Sequence, residues 1–216
     1  EEGPKGGGGS PPPPPPPAPG APTVKLSAPG QIGAAGATVS ATTGADTAAG
    51  ASVAKVEFFL GNELLCTDTA APYKCKVLPT GAEVGKQALR AVVTDSAKQT
   101  ASAEAKVTIA KFAPAGMPMK ATAGKAKAGK LARIVGGSLK LPARVTAPEA
   151  CTSGSVTVSV ERAGKTVLPP TQVSLHRDCT WKLRFTATPG NAKFLATAKF
   201  GGNAVLKPAS TGRRFH

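Results

Sequence analysis

Residues 53–78 read V-A-K-V-E-F-F-L-G-N-E-L-L-C-T-D-T-A-A-P-Y-K-C-K-V-L. Val56, Phe58 and Leu60 fall on one face of an extended chain while Lys55, Glu57 and Phe59 fall on the other, the two-residue period of a strand buried on one side. Gly61-Asn62 supplies a tight turn into a second short run, and Cys66 and Cys75 then bracket a turn containing Pro72. A hairpin followed by a cysteine-flanked turn predicts a small all-β unit with its own cross-link. The stretch holds no reactive constellation, so it predicts a scaffold and not an activity.

The same signal continues on both sides. Candidate strands at 23–27, 37–42, 53–60, 63–67, 73–78, 87–95 and 100–109 are separated by Gly, Pro, Asn and Asp, and seven short runs at this spacing predict a β-sandwich over residues 23–110. Within 87–97 a helix competes, but Leu89, Ala91 and Val93 keep the two-residue period. A second unit is expected over residues 117–216. There Val156, Val158 and Val160 alternate with polar residues, as do Trp181, Leu183 and Phe185, and Phe194, Ala196, Ala198 and Phe200 alternate with Lys193, Leu195, Thr197 and Lys199. Residues 1–22, with Gly6, Gly7, Gly8 and Gly9 before Ser10 and then seven prolines, predict a disordered linker. Its proline run would form a polyproline spacer of roughly 20 Å.

Composition supports small β units over one large core: 25 Gly and 21 Pro accompany only 4% aromatic residues. No apolar run approaches the ~18 residues of a membrane-spanning helix. The first residues, Glu1-Glu2-Gly3-Pro4, carry neither an initiator Met nor a signal pattern, which leads us to expect a mature product or fragment with a further domain upstream.

The four cysteines fall as one pair in each half, Cys66 with Cys75 and Cys151 with Cys179. A zinc site needs close C-x2-C-type spacings with further ligands, whereas eight and twenty-seven residues intervene here and the histidines are His176 and His216. Two disulfides are expected, and with them a secreted or cell-surface location. In the chain-entropy description they contribute roughly 2.7 and 3.6 kcal/mol for loops of about 10 and 29 residues.

The net charge of +15 is unevenly spread. Residues 113–216 hold seventeen Lys and Arg against three Asp and Glu, while residues 21–112 hold nine against seven. The second half therefore carries the field that attracts polyanions.

Residues 56–75, V-E-F-F-L-G-N-E-L-L-C-T-D-T-A-A-P-Y-K-C, continued by A-L-R-A-V-V-T-D-S-A at 88–97, resemble the bacterial Ig-like domains appended to secreted enzymes and surface proteins, with their V-x-F-x-x-G turn, T-D-T-x-A-P-Y turn and A-x-V-x-T-D strand. The second unit is similar to Ig-like repeats of secreted actinobacterial proteins through G-G-S-L-K-L-P, G-S-V-T-V-S-V-E-R-A-G-K-T-V, D-C-T-W-K-L-R-F and A-K-F-G-G-N-A-V-L-K-P. The resemblance implies an all-β chain of two tandem Ig-like antiparallel sandwiches with a spacer, presentation or adhesion role, and it transfers no catalytic residue.

Candidate chemistry is sparse. His176-Arg177-Asp178 matches the start of a kinase catalytic loop, but no Gly-rich loop or Asp-Phe-Gly accompanies it, so a turn is expected. A Ser-His-Asp triad lacks histidines to build it. Asp46, Asp68 and Asp95 form no D-x-D calcium pattern and are expected to stabilise turns. No cofactor or metal is expected. The basic second unit carries the one functional reading with physical content. If Trp181, Leu183 and Phe185 point inward, Lys182 and Arg184 point outward, and Lys193 and Lys199 join them if their strand is the neighbour. Arg162 and Lys165 at the preceding turn, and Lys120, Lys125, Lys127, Lys130 and Arg133 before it, would widen such a patch. Acidic cell-wall polymer or anionic glycan is the expected partner, and specific nucleic-acid recognition is not expected with one Tyr and one Trp. Two readings stay open: a non-catalytic spacer whose basic face keeps it soluble, and a polyanion- or carbohydrate-binding adhesion module.

Overall fold

A computed structural model describes residues 20–46, 50–124 and 128–216. The expected linker, residues 1–22, lies outside the described residues except for its last three, and Lys125 and Lys127 lie outside them as well.

Among the described residues fifteen strands form four sheets. In chain order the first eight are β1 Thr23–Ser27, β2 Gln31–Ile32, β3 Ala37–Gly44, β4 Val53–Leu60, β5 Glu63–Asp68, β6 Lys74–Val77, β7 Gly85–Asp95 and β8 Thr100–Ile109. They make a three-stranded sheet, β1-β3-β6, and a five-stranded one, β2-β8-β7-β4-β5, in which β2 runs parallel to β8. The remaining seven are β9 Met119–Ala123, β10 Leu131–Ser138, β11 Ser155–Arg162, β12 Lys165–Ser174, β13 Thr180–Ala187, β14 Phe194–Phe200 and β15 Ala209–Phe215. One helical turn, α1 Ala147–Ala150, interrupts them. Their sheets run β13-β10-β9 and β12-β11-β14-β15. Leaving aside the two-residue β2, each set of seven strands places its first, second and fifth in one sheet and its fourth, third, sixth and seventh in the other. The chain is all-β, and this repeated order is that of Ig-like sandwiches.

The chain divides into two compact units. One draws on Ser40–Cys75 and Arg90–Glu104 with the described part of Glu1–Ser27, and the other on Ala28–Val39, Lys76–Leu89 and Ala105–His216. The division passes through β3, β6, β7 and β8, so compactness and sheet membership do not coincide.

In the first unit β4 behaves as its alternation dictates, with Val56, Phe58 and Leu60 buried. The outward row is also paired: Lys55 Nζ lies 2.9 Å from Glu57, and the Arg90 guanidinium sits 4.6 Å above the Phe59 ring, which gives that outward phenylalanine a cation–π partner. Gly61, at φ 58°, makes the left-handed residue of the β4–β5 turn, and Leu60 pairs with Glu63 to close it. Cys66 on β5 is bonded to Cys75 on β6, so the cystine joins an edge strand of one sheet to an edge strand of the other.

The turn between these cysteines is held by Asp68. Its carboxylate accepts the Lys74 amide at 2.9 Å and the Ala70 amide at 3.1 Å, and these bonds, Lys74 first, hold its pKa below the ordinary aspartate value. A lowered folded-state pKa stabilises the fold above the unfolded-state value, and that stabilisation is lost as pH falls through the folded-state value. Asp68→Ala is therefore expected to lower the melting temperature at neutral pH, with the gap to wild type closing below about pH 4. Thermal melts between neutral and strongly acid pH check this. A gap that persists in acid would assign the effect to something other than the ionised carboxylate.

The second unit builds its core from strands of both later sheets. Trp181, Val135 and Met119 come from β13, β10 and β9; Val156, Val158, Val160, Ala196, Ala198 and Phe200 come from β11 and β14. Cys151, just after α1, is bonded to Cys179 in the turn before β13, and both are buried within this core.

Candidate functional site

The three-stranded sheet β13-β10-β9 has one face in the core and one in solvent, and strand parity decides which residues meet on each. Antiparallel register sets Lys120 of β9 and Lys182 of β13 on either side of Gly136 of β10. The adjoining row is Thr122, Ile134 and Arg184, and beyond the glycine on the other side Ser138 pairs with Thr180 and donates its amide to the Pro118 carbonyl. Lys120, Lys182 and Arg184 are exposed. Because the central position carries no side chain, the three strands leave an open groove of about 400 Å³ whose floor is Gly136 and whose sides are the two lysines.

Glycine at both positions 136 and 137 has a steric cause. A Cβ on Gly137 would overlap the Pro118 carbonyl oxygen and lie 2.9 Å from the Trp181 indole, and one on Gly136 would lie 2.8 Å from the Trp181 carbonyl. Trp181 pairs with Gly137 in register and is 1% exposed, so its ring fills the inner space that the glycine leaves.

Strand spacing of about 4.8 Å puts the Lys120 and Lys182 backbones roughly 10 Å apart, within reach of one anionic group held between two lysine side chains. Among the described residues the ion pair formed is Lys55 with Glu57, so Lys120, Lys182 and Arg184 have no carboxylate at ion-pairing distance. Asp178, beyond Thr180, is the nearest acid in sequence. Its carboxylate accepts the Thr180 hydroxyl at 2.6 Å and the Thr180 amide at 3.0 Å, which hold its pKa below the ordinary value, the hydroxyl contributing most. The His176-Arg177-Asp178 segment is a turn, closed by the Cys179 amide on the His176 carbonyl at 2.8 Å.

Among the described residues, Lys193, Lys199, Lys165, Arg162 and Arg133, also singled out in the sequence, do not join this face. Lys193 and Lys199 were expected beside Lys182 and Arg184 on condition that their strands were neighbours. They are not: β13 pairs with β10, whereas β14 lies between β11 and β15 in the other sheet. Strands consecutive in sequence here cross from one sheet to the other, so outward residues of β13 and β14 point to opposite sides of the fold. Lys199 is exposed in a row with Thr157 and Ser210, Lys193 is exposed just before β14, and Lys165 is exposed at the start of β12. Arg162 is already engaged. Its Nε donates to the Ala192 carbonyl at 2.9 Å, its Nη1 to the Thr188 carbonyl at 2.6 Å, and its guanidinium covers the Phe194 ring at 4.7 Å. It clamps the β13–β14 connection. Arg133 is likewise bonded to the Ala132 and His216 carbonyls.

Sequence reasoning placed Lys120 among cations leading into the unit and missed Gly136, Thr122, Ser138 and Thr180. The Gly136-Gly137 pair was the available signal. Two glycines in a strand mark a place where backbone or ligand approaches closely.

Fold and cystines together define Ig-like sandwich architecture. Residues 22–91 match the family described as Bacterial Ig domain, a non-catalytic domain type. No curated protein matches the chain. Among solved structures, the fibronectin(III)-like modules of Clostridium thermocellum CbhA align at 19% identity and TM-score 0.36, covering 41% of this chain and 97% of theirs. The chicken interferon gamma receptor alpha chain aligns at 13% identity and TM-score 0.44, covering 92% of this chain and 97% of its own. A β-glucuronidase from Parabacteroides merdae aligns at 11% identity and TM-score 0.31, covering 90% of this chain, which spans 24% of that enzyme. Among the described residues no helix is long and apolar enough to cross a membrane, and no group of three or more potential metal ligands gathers.

Proposed function

We propose that the chain is a non-catalytic accessory segment of an exported bacterial protein, with Ig-like modules over residues 23–110 and 117–216 that space or present what they are joined to. The observation that carries this reading is the pair of cystines, Cys66–Cys75 and Cys151–Cys179, one in each set of sheets. Disulfides persist in oxidising compartments and are reduced in the bacterial cytosol, and small β units low in aromatic residues gain a large share of their stability from them. The family match over 22–91 supports the same reading, because that family is a non-catalytic domain type.

The test is thiol mapping of the protein taken directly from producing cells. Rapid alkylation without reduction, followed by mass mapping, is expected to give no alkylated cysteine and two cross-linked peptide pairs. Four alkylated cysteines in folded native protein would overturn the exported reading.

A further inference from the structure

We infer that the solvent face of β9-β10-β13 is a binding groove for a strand of acidic polysaccharide, with Lys120 and Lys182 holding a sugar carboxylate over Gly136. Three observations converge on this face. Register places the two lysines symmetrically about a residue without a side chain. The groove between them, about 400 Å³, falls within the size range of small-ligand sites. Neither lysine nor the adjoining Arg184 is neutralised by a carboxylate among the described residues.

The chemistry of the lining selects among polyanions. Thr122, Ser138 and Thr180 put hydroxyls along the groove beside the cations, the combination that meets a chain bearing both carboxylates and hydroxyls. Thr180 Oγ1 donates to Asp178, and its oxygen remains an acceptor for a sugar hydroxyl. Single-stranded nucleic acid is recognised by stacking bases on exposed aromatic rings, and the aromatic residue lining this groove, Trp181, is 1% exposed with its ring in the core. Duplex nucleic acid needs a broad basic surface, whereas the lysines here face one another across roughly 10 Å. A neutral glycan would leave both ammonium groups without a counter-charge.

The full chain tests this with polygalacturonate as probe, against a neutral glucan and inorganic polyphosphate. Binding to polygalacturonate is expected at low ionic strength and is expected to weaken steeply toward about 0.5 M salt, where screening shortens to a few ångströms. The Lys120→Ala/Lys182→Ala pair is expected to lower affinity by about tenfold or more, with an unchanged melting temperature, since both side chains are exposed. The control pair Lys193→Ala/Lys199→Ala removes the same charge at and just before β14, in and beside the other sheet, and is expected to change affinity by less than about threefold. Equal losses in the two pairs would reduce the effect to net charge and overturn the site. Absence of polygalacturonate binding at low salt, equal affinity for the neutral glucan, or tighter binding of polyphosphate would each overturn the assigned occupant. That the natural polymer is extracellular rests on the exported reading above, but the binding itself does not. Free thiols in native protein would remove the first and leave the groove measurement standing.

Discussion

Replacing Trp181 by alanine is expected to destabilise the second unit by about 3–5 kcal/mol, the largest effect of any single side chain here. Trp181 is 1% exposed, belongs to the core with Val135, Val158 and Phe200, and is the largest side chain buried to this degree. The cavity would not close easily. Gly137, across from it in register, has no side chain to move inward, and its backbone is fixed by pairing with β9 and β13. A loss of that size is a large fraction of a typical domain's 5–15 kcal/mol, so a guanidinium titration followed by far-UV circular dichroism should show an early transition. Trp181→Phe separates packing from polarity. The indole Nε1 is buried without a hydrogen-bond partner, so phenylalanine loses volume but also removes an unmatched donor. It is expected to cost less than the alanine variant, because it leaves the smaller cavity. An alanine variant that costs no more than the phenylalanine one would show that the core does not depend on the ring. Gly137→Ala approaches the same contact from the opposite side, with a Cβ 2.9 Å from the indole.

The same residues explain which strands were legible. Strands in which apolar residues recur at every second position, such as β4, β11, β13 and β14, could be read directly because most of one face of each is buried. Four strands of the second unit were not marked. Three of them, β9, β12 and β15, lie at sheet edges, where burial is partial and polar or proline residues are tolerated. Pro169 and Pro170 in β12, and Arg213 and Arg214 in β15, read locally as breaks or solvated loop, yet edge strands accept both. The fourth, β10, is central but contains Gly136 and Gly137, and two glycines read as a turn until the indole they accommodate is seen.

The candidate groove was illegible for a related reason. Parity within β13 correctly sends Lys182 and Arg184 outward, but parity says nothing about which strand lies alongside. The sequence-adjacent β14 is not the neighbour, and the true partner Lys120 sits sixty-two residues earlier on an edge strand. Pairing is a non-local property, so a site made by three strands appears only once register is known.

Removing the Cys151–Cys179 bond is expected to cost about 3.6 kcal/mol, against about 2.7 kcal/mol for Cys66–Cys75, because it closes a loop of about 29 residues rather than about 10. Alanine is the replacement to use at Cys151, which is fully buried, since serine would leave a hydroxyl without a partner in the core. Position 179 differs. Its φ of 65° is a left-handed conformation that alanine adopts with strain and glycine without it. Cys151→Ala/Cys179→Gly should therefore be about 1 kcal/mol more stable than Cys151→Ala/Cys179→Ala, both measured by guanidinium titration. Access to reductant runs in the other order. Cys66 is partly exposed, while Cys151 and Cys179 are buried at 0% and 2%. Limited dithiothreitol with alkylation and mass mapping should thus open Cys66–Cys75 first and leave most of the stability in place. Further reduction should then open Cys151–Cys179 and bring the transition to that of the Cys151→Ala/Cys179→Ala variant after its own Cys66–Cys75 bond has been reduced. If the buried bond opened first, the core around α1 and the turn before β13 would be looser than its burial implies.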